Sequence, residues 1–151
     1  ITIIVSHKLF SSMKKLTTML MAACSFLLAA CSSNTPTKTI EKAFDAIIEE
    51  DYETYARSFY VEDNSDPERI EKEVQELVQM IKQNMENHED EKIKSYEILK
   101  EESSKTGKWS RVTYKMVNYG NKETTADFYL RKDNDGNWKI QMFGTEQLME
   151  E

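Results

Sequence analysis

Cysteine, proline, glycine and histidine are all scarce in this sequence. Its 151 residues contain 2 cysteines, 2 prolines, 4 glycines and 2 histidines, which excludes a collagen-like chain and a disulfide-stapled miniprotein. Hydrophobic residues make up 39% of the chain and aromatic residues 10%, enough apolar material for a core, so general disorder is also excluded. A chain of this length and composition predicts one small globular domain.

A block of basic residues is also missing. The first 30 residues contain three lysines and no acidic residue, so the rest of the chain carries 27 acidic against 17 basic residues, a net charge of −10. Nucleic acids and anionic lipid headgroups are bound through phosphate groups, which require clustered Lys and Arg. The composition therefore excludes nucleic acid as a partner and argues against docking on anionic lipid through a polybasic patch.

The N-terminal region has the layout of a secretory signal peptide. Met13-Lys14-Lys15 is basic and is followed by 15 uncharged, mainly apolar residues, 16–30. This stretch is shorter than the roughly 20 residues that a membrane-spanning helix needs. We expect translation to start at Met13, and residues 1–30 to be a leader and signal peptide that is not part of the folded domain.

The signal peptide ends in a sequence that resembles a bacterial lipobox, Leu28-Ala29-Ala30-Cys31. The resemblance implies cleavage between Ala30 and Cys31 and lipidation of Cys31, through which the protein is anchored to a membrane. Two or three acyl chains anchor firmly, because each buried CH₂ contributes about 0.8 kcal/mol. The alternative is an ordinary cleavage site followed by a chance cysteine.

Residues 31–35 would then form a lipidated tether ahead of a domain that spans residues 36–151. Ser32 follows the cysteine, which resembles the outer-membrane sorting pattern of enteric-type bacteria. We therefore expect a protein of the bacterial cell envelope, on the periplasmic side of the outer membrane rather than on the inner membrane. The mature chain keeps one cysteine, already lipidated, so no disulfide is expected.

Helical signals occupy the first part of the predicted domain. Thr35-Pro36 is typical of an N-cap and first helical residue, and apolar residues then recur at the helical period. Asp51 is suited to cap a second, short helix. Asp66-Pro67 repeats the first signal and opens a longer helix that should end near His88.

From Ile93 onward the apolar period changes from 3.6 to 2, which indicates strands. Four strands are predicted: Lys92–Glu101, Lys108–Tyr119, Glu123–Lys132 and Asn137–Phe143. Alternation places one set of side chains on an apolar face: Val112, Tyr114, Met116, Ala126, Phe128, Leu130, Trp138, Ile140 and Met142. The opposite face carries Arg111, Thr113, Lys115, Asp127, Arg131, Lys139 and Gln141. This pattern predicts an α+β domain in which about three N-terminal helices pack on one face of an antiparallel meander.

The order of the motifs resembles a known family. A helical hairpin contains Phe44, Ile47, Asp51 and Tyr52, and the meander closes with Asp135, Gly136, Trp138, Lys139 and Ile140. This arrangement is similar to the lipoproteins of the DUF4878 group, and it covers about residues 36 to 143. The resemblance implies an NTF2-like fold, a cone in which a curved four-stranded sheet wraps around the helices. The family has no established reaction, so the resemblance implies no catalytic residue.

Groups that could perform chemistry are few. On the apolar face only Tyr114 and Thr124 are polar, while Asp127 alternates outward, so the carboxylate that an isomerase of related fold needs is missing there. His88 lies at a helix end with no second His or Cys predicted beside it, and a single histidine does not form a transition-metal site. The Asp133–Gly136 segment does not match the sequence pattern of a calcium-binding loop, and its residues are typical of a hairpin turn. We expect no catalytic site, no metal and no cofactor.

We therefore expect a non-catalytic binding or protein-interaction module. A small apolar ligand would lie in the cone cavity, which we expect the sheet to line with Tyr114, Met116, Phe128, Trp138 and Met142 and the helices with residues such as Phe59 and Leu77. The same side chains could instead fill the cavity. One alternative is a small NTF2-like enzyme of the isomerase or hydrolase type.

A structural role through contacts between copies of the chain is a third possibility. A homodimer would form through outward residues that make a partly aromatic patch. They are Trp109, Val117, Tyr119 and Tyr129, beside Arg111 and Arg131.

Overall fold

The first helix begins where the capping signal places it. The structure, a computed structural model, describes residues 34–62 and 66–150. Helix α1 spans Pro36–Ile48, and the Thr35 hydroxyl accepts a hydrogen bond of 3.2 Å from the Lys38 backbone N–H. The predicted signal peptide, the cleavage site after Ala30 and the lipidation site Cys31 lie outside the described residues. No helix in the described ranges is long and apolar enough to span a membrane.

Two further helices follow, each capped by an aspartate. Helix α2 is Tyr52–Ala56, and the Asp51 carboxylate accepts a hydrogen bond of 3.1 Å from the Thr54 N–H. Helix α3 is Pro67–Asn87, and Asp66 accepts hydrogen bonds from the first free N–H groups of that helix. A carboxylate satisfies these donors and also interacts favourably with the positive end of the helix.

The strands form one antiparallel meander in the order β1-β2-β3-β4. After α2, Phe59 forms a parallel bridge to Ile140 and so extends the edge of the sheet. The strands are β1 Ile93–Ser103, β2 Trp109–Asn118, β3 Glu123–Lys132 and β4 Trp138–Gln141. The predicted α+β class, with three helices before a four-stranded antiparallel sheet, is confirmed.

The predicted faces of β2 and β3 hold because their register is continuous. Pairing runs without a shift from Trp109 opposite Arg131 to Val117 opposite Glu123. Val112 and Leu130 are consequently fully buried against the helices. The other inward residues of the sheet lie in or against the same core: Tyr114, Met116, Ala126, Phe128, Trp138 and Ile140.

Strand β1 carries the irregularities of the sheet. Its register against β2 shifts between Ile98 and Lys100, so the faces exchange there. Beyond this bulge, the Glu101 carboxylate reaches the start of α1, where it accepts hydrogen bonds from the Thr37 backbone N–H at 3.0 Å and hydroxyl at 2.6 Å. The bulge therefore supplies an acidic group to the helix N-terminus, where negative charge is favourable.

The end of the meander corrects one prediction. Strand β4 stops at Gln141, not at Phe143, and Met142 lies in a turn with 49% of its surface exposed. The chain then crosses the outer face of the sheet, where Gly144 packs on the ring of Tyr129 so closely that a Cβ would overlap it. A 3₁₀ turn at Glu146–Met149 follows. Met142 therefore lies beyond the end of β4 and not within the strand.

The domain has two distinct ends. At one end α1 begins, and the Asn34 amide donates to the Asn137 side chain in the β3–β4 turn at 2.8 Å. At the other end α1 and α3 finish, and the β2–β3 turn is tied to the segment after α3 by a hydrogen bond of 2.9 Å from the Gly120 N–H to the Asp90 carbonyl. Since α1 has 13 residues, the two ends are about 20 Å apart.

Candidate functional site

A cavity of about 400 Å³ lies at the end of the domain where α1 and α3 finish. We call it the end pocket. Its volume falls within the range of cavities that hold small-molecule ligands. The end of α1, the start of α2, the end of α3, the segment leading into β1 and the β2–β3 turn all contribute to it. Its lining residues are Ile47, Ile48, Glu50, Tyr52, Met85, Glu89, Asp90, Lys92, Ile93 and Tyr119.

The interior side of the end pocket is apolar. Ile47 is buried in the core, and Met85, Ile93 and Tyr52 pack partly buried against it. Tyr119 stands at the outer side with 61% of its surface exposed. The pocket therefore joins an apolar floor, part of it an adaptable methionine, to aromatic side chains nearer the solvent.

The conformation of Glu50 places its carboxylate at the pocket. Glu50 follows the last turn of α1 with φ at +61°, the left-handed conformation that ends many helices and that glycine usually supplies. The following N–H, that of Asp51, donates to the Ala46 carbonyl at 2.8 Å and closes the helix end. The Glu50 carboxylate accepts a hydrogen bond of 3.0 Å from the Lys92 ammonium.

The end pocket is predominantly acidic. Glu50, Glu89 and Asp90 line it, against the single ammonium group of Lys92 among its lining residues. The hydrogen bond from Lys92 to Glu50 raises the pKa of the lysine. Burial, and then the nearby charge of Glu50, raises the pKa of the Tyr52 hydroxyl. Two helix C-termini, each with partial negative charge, add to this potential.

Sequence reasoning missed this pocket. It did not connect the acidic runs at residues 49–51 and 89–91, although each directly follows a predicted helix end. The fold brings both runs to one end of the domain, as the contact between Lys92 and Glu50 across 42 positions demonstrates. The sequence did contain a signal, since acidic residues follow the ends of both α1 and α3.

Three of the five predicted sheet residues of the cavity do lie close together. Tyr114 and Phe128 stack with their ring centroids 4.7 Å apart, and Met116 is the next inward residue of β2. The ring of Phe44 packs edge-on against Tyr114 at 4.9 Å and lies 5.9 Å from Phe128. A side chain of α1 therefore occupies this part of the cone, which agrees with the alternative that the apolar residues fill it.

Trp138 and Met142 lie elsewhere. Trp138 is near the start of α1, where its carbonyl accepts a hydrogen bond of 3.3 Å from the Thr39 hydroxyl. Met142 lines a separate cleft of about 210 Å³ together with the predicted helix residues Phe59 and Leu77. Trp138 thus packs against the same core nearer the start of α1, and Met142 lines a cleft with two of the helix residues that were predicted to share its cavity.

The groups considered for chemistry lie where the sequence placed them. Asp127 is on the outer face of the sheet, where its carboxylate accepts a hydrogen bond of 2.6 Å from the Thr113 hydroxyl. His88 caps the end of α3, with its Nδ1 3.1 Å from the Asn84 carbonyl oxygen. Within residues 34–62 and 66–150, no cluster of His, Cys, Asp and Glu could hold a metal ion.

The segment at residues 133–137 forms a hairpin turn, with Gly136 at φ +82°. The Asp133 carboxylate accepts hydrogen bonds from the N–H groups of Asp135 and Asn137. These hydrogen bonds stabilise the turn, in agreement with the prediction that this segment is a hairpin turn.

The outer face does not present the predicted aromatic patch as one open surface. Gly144 covers Tyr129, and Tyr119 lies at the end pocket. The Arg131 guanidinium lies 4.2 Å from the ring centroid of Tyr60 and 5.2 Å from that of Trp109. Much of the aromatic surface of this face is therefore in contact with other residues of the same chain. A homodimer through this face stays a prediction.

Comparison with solved structures identifies the fold. The chain is similar to a protein from Campylobacter jejuni described as an NTF2-like transpeptidase, with a TM-score of 0.52 and 11% identity, over 72% of this chain and 100% of the other. It is also similar to a SEC-C motif-containing protein from Rhodopseudomonas palustris, with a TM-score of 0.47 and 18% identity, over 78% of this chain and 84% of that one. No protein-family profile matches the sequence, and no curated protein does. The first likeness establishes an NTF2-like fold and no activity.

Proposed function

We propose that this chain is a lipid-anchored protein of the bacterial cell envelope, related to the DUF4878 lipoproteins, and that its NTF2-like domain binds a small ligand in the end pocket without transforming it. The observation that carries the binding function is the end pocket itself. A cavity of about 400 Å³ with an apolar floor and a few polar groups at its rim is the usual form of a small-molecule site.

The positions of the two ends support this assignment. Cys31 precedes Asn34 by three residues, and Asn34 is fixed to the β3–β4 turn at the end opposite the pocket. A tether of three residues spans at most about 11 Å. The lipid would therefore hold the far end of the domain against the bilayer and leave the end pocket open to the aqueous side.

A binding function without catalysis is favoured over an enzymatic function because the carboxylates of the pocket are exposed to solvent. Acid–base chemistry needs a titratable group held in a dry site near its reacting partner. The Glu50 side chain is 58% exposed and already paired with Lys92, and Glu89 and Asp90 are exposed as well. Tyr114, which the enzyme alternative would use, is packed between Phe44 and Phe128.

The anchor is tested by the substitution Cys31→Ala. We expect loss of palmitate labelling and release of the protein from the membrane fraction, or accumulation of an uncleaved precursor. Ser32→Ala is the matched control, since it alters the neighbouring residue and leaves the acceptor thiol in place. Unchanged labelling and partitioning of Cys31→Ala would overturn the anchored function.

The binding site is tested by native mass spectrometry of the protein purified from its own host. We expect an additional small molecule on the wild-type protein and its loss in Met85→Trp, where the larger ring fills the end pocket. Met80→Trp is the control: Met80 is on the same helix, but it is 59% exposed and lines the other cleft. A small molecule that stays bound to Met85→Trp would contradict the assignment.

A further inference from the structure

We propose that the ligand of the end pocket is a small organic cation with an apolar body, such as a quaternary or primary amine attached to a ring or a short chain. This inference rests on the proposed binding function and adds the chemical class of the ligand. It follows from how charge and apolar surface are distributed within the pocket.

The charges of the pocket favour a cation. Its lining carries three carboxylates and one ammonium, a net charge of −2. Lys92 is paired with Glu50 at 3.0 Å and also interacts with the charge of Glu89, while neither Glu89 nor Asp90 forms a salt bridge within the described part of the chain. An anionic ligand would meet an excess of carboxylates over ammonium groups, whereas a cation would be attracted to that excess.

The surroundings strengthen this potential. Glu91 follows the lining carboxylates Glu89 and Asp90 in sequence, and α1 and α3 both direct their C-termini to this end. Helix C-termini carry partial negative charge within their last turn. Clefts lined by charge of one sign raise the local concentration of a ligand of the opposite sign.

The apolar and aromatic side chains of the pocket indicate that the ligand also has an apolar part. Ile47, Met85 and Ile93 offer a floor for a ring or a short chain. Tyr52 and Tyr119 line the pocket beside the carboxylates, and aromatic faces attract ammonium groups. A fully hydrophilic cation, such as a metal ion, would make no favourable apolar contact with this floor.

The test is calorimetric titration of the full protein, purified from its host in a non-ionic detergent that is matched in syringe and cell. Three probes share a phenyl ring and differ in charge: benzyltrimethylammonium, benzyl alcohol and benzenesulfonate. We expect the cation to bind most tightly and its affinity to fall when salt is raised, because exposed charges are screened. Benzenesulfonate should bind weakest.

Two variants of equal net charge locate the effect. Glu89→Gln with Asp90→Asn removes both unpaired carboxylates of the pocket and should weaken the cation by about threefold to tenfold, the scale of one or two exposed charge interactions. Glu97→Gln with Glu150→Gln makes the same change in net charge at exposed positions outside the pocket lining and should leave the affinity unchanged. Lys92→Gln should tighten the cation, since it frees Glu50.

The outcomes separate this inference from the proposed function. If benzyl alcohol or benzenesulfonate binds as tightly as the cation and Met85→Trp abolishes that binding, the pocket is a site but the ligand class is wrong. If both double variants weaken the cation equally, the effect is one of net charge and the inference is overturned. If none of the three probes binds and the native mass spectrum shows no small molecule already bound, the pocket is not a ligand site and both proposals fail. If a copurified molecule occupies the pocket instead, its charge decides the ligand class, and a neutral or anionic molecule overturns this inference.

Discussion

The ring of Phe44 on α1 stacks on the ring of Tyr96 on β1, with centroids 4.6 Å apart and planes inclined by 20°. The Tyr96 hydroxyl in turn donates a hydrogen bond of 2.8 Å to the carboxylate of Asp45, the next residue of the helix. One tyrosine therefore both packs against α1 and fixes its rotation relative to the sheet. This contact directs the Phe44 ring against the stacked pair of Tyr114 and Phe128 and closes the part of the cone that the sequence had suggested as a ligand cavity.

Phe44→Ala should consequently be among the most damaging substitutions in the domain. Phe44 is 3% exposed, and removing a buried phenyl ring loses its transfer free energy and leaves a cavity. We expect the free energy of unfolding to fall by about 3 to 5 kcal/mol, measured by urea denaturation. Leu99→Ala, at a residue that is 48% exposed in the β1 bulge, should change it by less than about 0.5 kcal/mol. Equal losses would mean that the Phe44 ring is not part of the core.

The C-terminal segment offers a second test, because it crosses the outer face at a glycine. A side chain on Gly144 would overlap the ring of Tyr129, so Gly144→Ala must displace the segment or the ring. We expect a loss of about 1 to 3 kcal/mol and faster proteolysis after Gln141. The ion pair between Arg111 and Glu146, 2.6 Å long, should weaken with the displacement.

A double-mutant cycle isolates this contact. In a Tyr129→Ala background the ring is gone, so adding Gly144→Ala should cost much less than it does in the wild-type protein. Additive losses would contradict the packing of Gly144 on Tyr129 and would place the C-terminal segment elsewhere.

Acid should destabilise the fold through three carboxylates. Hydrogen bonds from Thr54 lower the pKa of Asp51, those from Arg57 and Gln75 lower the pKa of Glu71, and those from Lys100 and then Arg111 lower the pKa of Glu102. A lowered folded-state pKa means that the unfolded chain binds protons more tightly. The stabilisation is therefore complete above the unfolded values of 3.8 for Asp51 and 4.5 for the two glutamates, and it is lost as the pH falls through the lower folded values.

Urea midpoints between about pH 7 and pH 3 measure this dependence. The midpoint should stay level until the pH approaches the unfolded values and then decline. Glu102→Gln should make the decline shallower, because one of the three linked groups is removed. A midpoint that rises on acidification would contradict the sign of all three shifts.

The parts of the fold that depend on local chemistry could be predicted from the sequence. Thr35, Asp51 and Asp66 cap their helices because a cap requires only a side-chain oxygen within a few residues of the free N–H groups. The faces of β2 and β3 followed from alternation, which holds wherever the register is continuous. The same alternation put Asp127 on the outer face.

The site could not be predicted, because it depends on contacts between distant segments. The end pocket combines residues 47–52, 85–93 and 119, and the position of α3 relative to α1 brings the first two together. The predicted end of β4 at Phe143 was wrong because the chain leaves the sheet after Gln141 and packs Gly144 on Tyr129, a contact that the strand pattern does not reveal. The filling of the cone by Phe44 depends on the rotation of a helix, which periodicity alone does not determine.

The central claim is that the end pocket, and not the interior of the cone, holds the ligand. Its most direct test is a crystal structure of the protein purified from its own host, inspected for density that the chain does not explain. We expect such density between Tyr52 and Tyr119, above the floor formed by Ile47 and Met85. Density beside the stacked rings of Tyr114 and Phe128 instead, with the Phe44 ring displaced and the end pocket holding only solvent, would contradict the claim.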